Sequence, residues 1–129
     1  MKKIPVRVHS CPIETCLELL SGKWKPRILW HIHQNEVLRF GALRKKLPGI
    51  TAKMLTQQLR ELENDGLIHR EVYPVVPPKV EYSYSEFGQS LRPVLDRIAA
   101  WGVEHNGMIV SLLDEQSLRS TQEVVSHGP

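Results

Sequence analysis

Cysteine is scarce in this chain, with two in 129 residues. Two are too few for a disulfide scaffold, which points to a reducing compartment. Long apolar runs are missing as well: none approaches the roughly 18 residues at which a segment reads as a membrane span. The opening stretch MKKIPVRVHS has no apolar core of the kind a secretory signal needs. The expectation is a soluble, cytoplasmic protein with no membrane partner. Metal and cofactor signatures are absent too. His31 and His33 lie two apart and point to different faces of a helix, no His/Cys cluster has zinc spacing, and no glycine-rich loop could cradle a phosphate. A thiol enzyme would need a base held beside its cysteine, and no such pairing is visible. The expectation is therefore no enzyme, no metal and no cofactor.

One further absence is local. From Arg39 to Arg60 there is no acidic residue, while six are basic. Charge is also divided along the chain, with 14 Lys and Arg against 7 Asp and Glu in residues 1–80, but 3 against 7 in residues 81–129. A basic tract of this kind suits a polyanion. Its alternative is a solvated basic face with no ligand.

What is present is organised around Thr51 to Ile68. Leu55, Leu59 and Leu62 recur at i, i+4, i+7, with Ala52 beside them, and predict an apolar helix stripe. At about 100° per residue, Lys53, Gln57, Arg60 and Asn64 fall opposite. Thr51 is a candidate N-cap, and Asp65-Gly66 a stop. Before this helix come one opened by Cys11-Pro12, with Ile13, Cys16, Leu17 and Leu20 apolar, and a second with Trp24, Ile28, Leu29 and Ile32 as core. A short third helix spans Ala42 to Leu47, after Leu38-Arg39-Phe40, which is too short for more than an edge strand. Pro48-Gly49 separates it from Thr51, so the pair reads as helix, tight turn, helix.

After Gly66 the period changes. Ile68 to Tyr73 and Val80 to Tyr84 alternate as strands do, joined by the proline-stiffened loop Pro74 to Lys79. The fold expected is mainly α with a small β-hairpin (α+β): a winged helix-turn-helix with extra N- and C-terminal dimerisation helices. A final helical region begins after the N-cap Ser85, with Pro93 kinking it and further breaks at Gly102 and Asn106-Gly107. The domain plan is a flexible basic arm over residues 1–10, one domain over 11–116, and a polar, disordered tail over 117–129. The last helical region is more apolar than a winged domain needs for its own core. A homodimer would cover it, with Ile13, Leu17, Leu95, Ile98, Trp101, Met108, Ile109 and Leu112 as interface candidates. The alternative folds this segment back on its own domain.

In order and spacing, these motifs resemble the HxlR family of winged helix-turn-helix transcriptional regulators, over about Cys11 to Trp101. The resemblance is carried by Cys11-Pro12, Gly22-Lys23-Trp24, Leu38-Arg39-Phe40, Leu47-Pro48-Gly49-Ile50, Lys53 to Glu63, Asp65-Gly66-Leu67-Ile68, Pro77 to Tyr82 and Ala100-Trp101-Gly102. It implies a dimeric DNA-binding regulator whose terminal helices dimerise. It also implies that some members use the cysteine before the first proline, here Cys11, as a switch for oxidants or electrophiles.

On the residues themselves, Lys53, Gln57 and Arg60 are the candidate base and phosphate contacts, with Thr51 near a phosphate at the helix start. Arg44, Lys46 and the wing residue Lys79 are candidates for backbone contacts. The partners expected are double-stranded operator DNA, a second copy of the chain, and a small oxidant or electrophile. Cys11 precedes a helix start, where the positive end of the dipole favours a thiolate; an inert packing cysteine is the alternative. Cys16 is expected in the core, and an intrahelical bond between the two would need unwinding. A winged-helix module that binds proteins rather than DNA is the rival reading of the whole.

Overall fold

The structure is a computed structural model; it describes residues 11–126, with side chains through residue 119. The arm expected over residues 1–10 lies outside the described residues, as do the last three residues of the expected tail. The chain divides at Arg92 into two compact units. The first runs α1 (Pro12–Leu20), α2 (Lys25–Asn35), β1 (Val37–Arg39), α3 (Phe40–Lys45), α4 (Ala52–Asn64), β2 (Ile68–Tyr73), β3 (Lys79–Tyr84) and α5 (Glu86–Gln89), and the second holds α6 (Arg92–Glu104) beyond its first residue and α7 (Asn106–Ser126).

The helix-turn-helix follows from local chemistry. Leu47 to Ile50 is a β-turn closed by the Ile50 N–H on the Leu47 carbonyl at 3.2 Å. Pro48 fits its second position, and Gly49, at φ +90°, supplies the left-handed third. Thr51 then caps α4, its hydroxyl accepting the Met54 N–H at 3.0 Å. At the other end the chain turns through Gly66, and the Leu67 N–H closes on the Leu62 carbonyl at 3.0 Å. Leu55, Leu59 and Leu62 are buried as the periodicity requires. Ala52 is exposed instead. It lies in the first turn, beside the polar face, and its methyl group is a weak demand for burial.

β2 and β3 form the hairpin, pairing Ile68 with Tyr84 through Tyr73 with Lys79. β1 joins β3 on the other side, giving the antiparallel order β1-β3-β2. The Leu38 stretch is thus the edge strand its length suggested. Alternation sends Tyr82 and Tyr84 to the core, and the Tyr84 hydroxyl donates to the Leu29 carbonyl on α2. Ile28, Leu29, Ile32, Leu43, Leu47, Leu55, Leu59 and Leu62 are the large side chains fully buried in this unit.

α1 buries none of its residues. Its apolar stripe is present but faces outward, so Cys16, expected in the core, is exposed. In the C-terminal half the expected helical region is broken outright before Pro93, where only a kink was expected. Ser90 and Leu91 form a turn on the carbonyls of Phe87 and Gly88, and Pro93 falls in the first turn of α6, where its missing N–H costs nothing. The compact units part just after this break, at Arg92, within the range 11–116 that the sequence assigned to one domain. Gly102 stays inside α6, and the chain interrupts at His105. α7 is helical through Ser126 and so extends over residues 117–126, which the polar composition assigned to a disordered tail. Leu118, Arg119, Gln122 and Glu123 are adequate helix formers, and Arg119 pairs with Glu115 one turn earlier at 3.3 Å.

Candidate nucleic-acid interface

α4 presents two chemistries because its apolar stripe is consumed by the core. Lys53, Gln57, Arg60 and Asn64 line one shallow concavity along the outer side of the helix, together with Ala52, Thr56 and Glu61. This is the face the sequence assigned to DNA. Thr51 is exposed at its start, with the hydroxyl already engaged as the helix cap. Lys53 and Arg60 are exposed and Gln57 is half-buried, so their polar ends are available while their stems are fixed by a rigid helix. Met54 is also exposed on α4 and receives the Gln58 amide on its sulfur at 3.6 Å.

The cations outside α4 differ among themselves. Lys46 is exposed just beyond α3. Arg44 is exposed but its Nε reaches the Ile50 carbonyl at 3.5 Å, which ties α3 to the turn before α4. Lys79, at the base of the wing, is held back by its own hairpin. Its ammonium lies 3.5 Å from Glu81 and 4.8 Å from the Tyr73 ring centre. Beyond it the wing tip is apolar, with Val75 exposed and Val76 fully so. On the outer sheet face Glu71 sits directly opposite Glu81. The two like charges are tolerated because His69 contacts Glu71 at 2.6 Å and Lys79 contacts Glu81. The Tyr73 phenol, bonded to Glu81, holds its proton more firmly than an ordinary tyrosine.

Two residues escaped the sequence reading. Arg70, on β2, lines a second concavity with Arg60, Phe40, Thr56 and Glu63; as the middle of an alternating strand it read only as scaffold. Lys25 is buried and ion-pairs Glu61 of α4 at 3.3 Å. No spacing rule links positions so far apart in the chain.

Cys11 is the N-cap residue of α1, exposed, with no side-chain capping bond. Its carbonyl accepts from the Thr15 N–H at 3.2 Å and from the Thr15 hydroxyl at 3.4 Å. Of the dimerisation candidates, Ile13, Leu17, Ile98, Trp101, Met108 and Leu112 are exposed and Ile109 is half-buried. Leu95 is buried and offers no surface. Its place on the helical period did not reveal which side of α6 the fold would cover. No helix among the described residues is long and apolar enough to cross a membrane.

A capped helix set after a tight turn, with a polar outer face and a hairpin following it, defines a winged helix-turn-helix protein of the transcription-regulator class. The HxlR-like helix-turn-helix family model matches residues 19–109, and the chain belongs to that family. It is 52% identical over 104 residues to the HTH-type transcriptional regulator YdeP of Bacillus subtilis (strain 168), covering 81% of this chain and 80% of that one. Among solved structures it is similar to the redox regulator HypR in its reduced form, at 46% identity and a TM-score of 0.74, over 78% of this chain and 99% of that chain. The reduced form of YodB from B. subtilis matches at 33% identity and a TM-score of 0.61, over 73% of this chain and 92% of that chain. The chain is thus a transcriptional regulator of the HxlR winged-helix type.

Proposed function

We propose that this chain is a sequence-specific DNA-binding regulator that acts in the cytoplasm, without catalysis, as a homodimer on a pseudo-palindromic operator. The observation that carries the reading is α4, whose buried stripe fixes Lys53, Gln57 and Arg60 on one accessible face within a tract that is acid-free from Arg39 to Arg60. Arg and Lys suit guanine edges and phosphates, and Gln suits adenine. Arg44 and Lys46 hold the backbone, Thr51 lies at the phosphate nearest the helix start, and Lys79 makes a weaker contact because Glu81 competes for it. Two α4 helices reach successive major grooves only if a second copy is bound, through the exposed residues of α1, α6 and α7.

The same reading makes Cys11 the point at which an oxidant or electrophile acts. Its support is exposure at the start of a helix assigned to dimerisation, and the likeness to HypR and YodB, the former named as a redox regulator.

Selection of bound duplexes from a random pool, with and without diamide, tests all three parts. The expected result is an inverted repeat bound with a steep loss of affinity as salt rises. The bound fraction should change on oxidation in the native protein and not in Cys11→Ser. Binding that is insensitive to salt, or absent, would favour the protein-interaction reading. A Cys11→Ser variant that still responds would remove Cys11 from the mechanism.

A further inference from the structure

The acid-free tract ends one residue short of Glu61, and Glu61 shares the α4 concavity with Lys53, Gln57, Arg60 and Asn64. A carboxylate there faces the phosphates that the neighbouring cations are meant to hold. It is not free, however. Glu61 Oε2 lies 3.3 Å from the ammonium of Lys25, with side-chain exposures of 21% for Glu61 and 10% for Lys25. Lys25 is the first residue of α2, where the positive end of the helix dipole disfavours a cation, and it is the one buried charged residue among those described. A lysine both buried and at a helix N-terminus breaks two local preferences, and such exceptions tend to mark a role beyond packing.

We propose that Lys25 is a positioning residue for DNA recognition, one that draws the Glu61 carboxylate against α2 and neutralises it. This rests on the reading of α4 as the DNA face. Lys25 itself touches no nucleic acid. It acts through Glu61, by keeping a negative charge off the groove-facing side and leaving Gln57, one turn earlier on α4, free to bond a base. Replacing Lys25 then lowers affinity by adding repulsion, not by removing a contact. Replacing Glu61 removes the carboxylate that Lys25 holds and strands a buried ammonium, which lowers stability.

The test compares the native protein with Lys25→Met, Glu61→Gln and the Lys25→Met/Glu61→Gln double variant. The probes are the duplex selected by the native protein and a mixed-sequence duplex, each at low and high salt, with thermal unfolding followed on every variant. Lys25→Met should bind about tenfold more weakly at low salt, a defect that shrinks at high salt as the added repulsion is screened. The double variant should return to within about threefold of native affinity, whereas a lost packing contact would not be rescued by a second substitution. Glu61→Gln should melt earlier, and adding Lys25→Met in that background should cause no further loss of affinity. A Lys25→Met defect that is independent of salt, or unrescued in the double variant, overturns the proposal and leaves DNA binding standing. If Lys25→Met does not fold, the proposal stands or falls on Glu61→Gln and the double variant, and loss of affinity in both overturns it. Failure of the native protein to bind either duplex overturns the proposal together with the reading of α4.

Discussion

In the winged unit Ile28, Leu29, Ile32, Leu55 and Leu62 are fully shielded from solvent, whereas in the C-terminal unit Ile98, Trp101, Val103, Met108, Leu112, Leu113 and Leu118 face it. Trp101 is 59% exposed and Met108 64%. Apolar content alone would not separate the two regions. The difference lies in what each unit can cover. Several helices and a three-stranded sheet enclose the winged core, while two consecutive helices have more apolar faces than they can bury. Along α4 the winged unit turns polar groups outward, as suits a polyanion, while its α1 and wing tip also expose apolar side chains. The C-terminal unit turns apolar groups outward and suits a second protein surface.

The sharpest way to break that contrast is to open the winged core. Leu59→Ala, at a fully buried site on the inner face of α4, should destabilise the unit by about 2–5 kcal/mol, read from denaturant unfolding. The equivalent truncation in the other unit, Trp101→Ala, should leave the unfolding of the winged unit alone. It should weaken self-association by about 2 kcal/mol or more if Trp101 anchors a dimer; sedimentation of native and variant protein at matched concentrations decides this. A monomeric native protein at micromolar concentration would end the dimer reading.

Effects on DNA should be graded by how free each cation is. Arg60→Ala should weaken selected-duplex binding by about 1–3 kcal/mol and relax specificity if it reads a base. Lys79→Ala should cost less than about 1 kcal/mol, since Lys79 is already shared with Glu81 and Tyr73. Equal losses for the two would show that the wing pairs dissolve on binding.

The smallest expected effect concerns pH. Burial, with Lys46 and then Arg27 nearby, lowers the proton affinity of His31 below the ordinary value of 6.5. The unfolded chain therefore binds the proton more readily, so stability is full above 6.5 and declines as pH falls through 6.5 towards the lowered folded value. His31 is half-buried and a single group, and the decline should be slight. His31→Gln should flatten it in denaturant midpoints measured on either side of 6.5.

Elements with both a period and an end signal were legible in the sequence. α4 has its leucine stripe, a threonine cap and a glycine stop, and the hairpin has alternating strands around a proline-rich loop. Its outer face followed, because once Leu55, Leu59 and Leu62 point inward, Lys53, Gln57 and Arg60 have only one direction left. Pro93 shows the limit of the same rules. A proline signals an interruption, but whether it kinks a helix or starts one depends on the turn before it.

By itself, then, the sequence determined the helix-turn-helix and wing, the basic tract and the two-faced character of α4, because each depends on neighbours within a few turns of chain. Tertiary structure alone decided that Cys16 is exposed, that Leu95 is buried, that Lys79 is restrained and that Lys25 meets Glu61. Each of those depends on which surfaces meet across distant segments, and periodicity carries the direction of a side chain but not what stands opposite it.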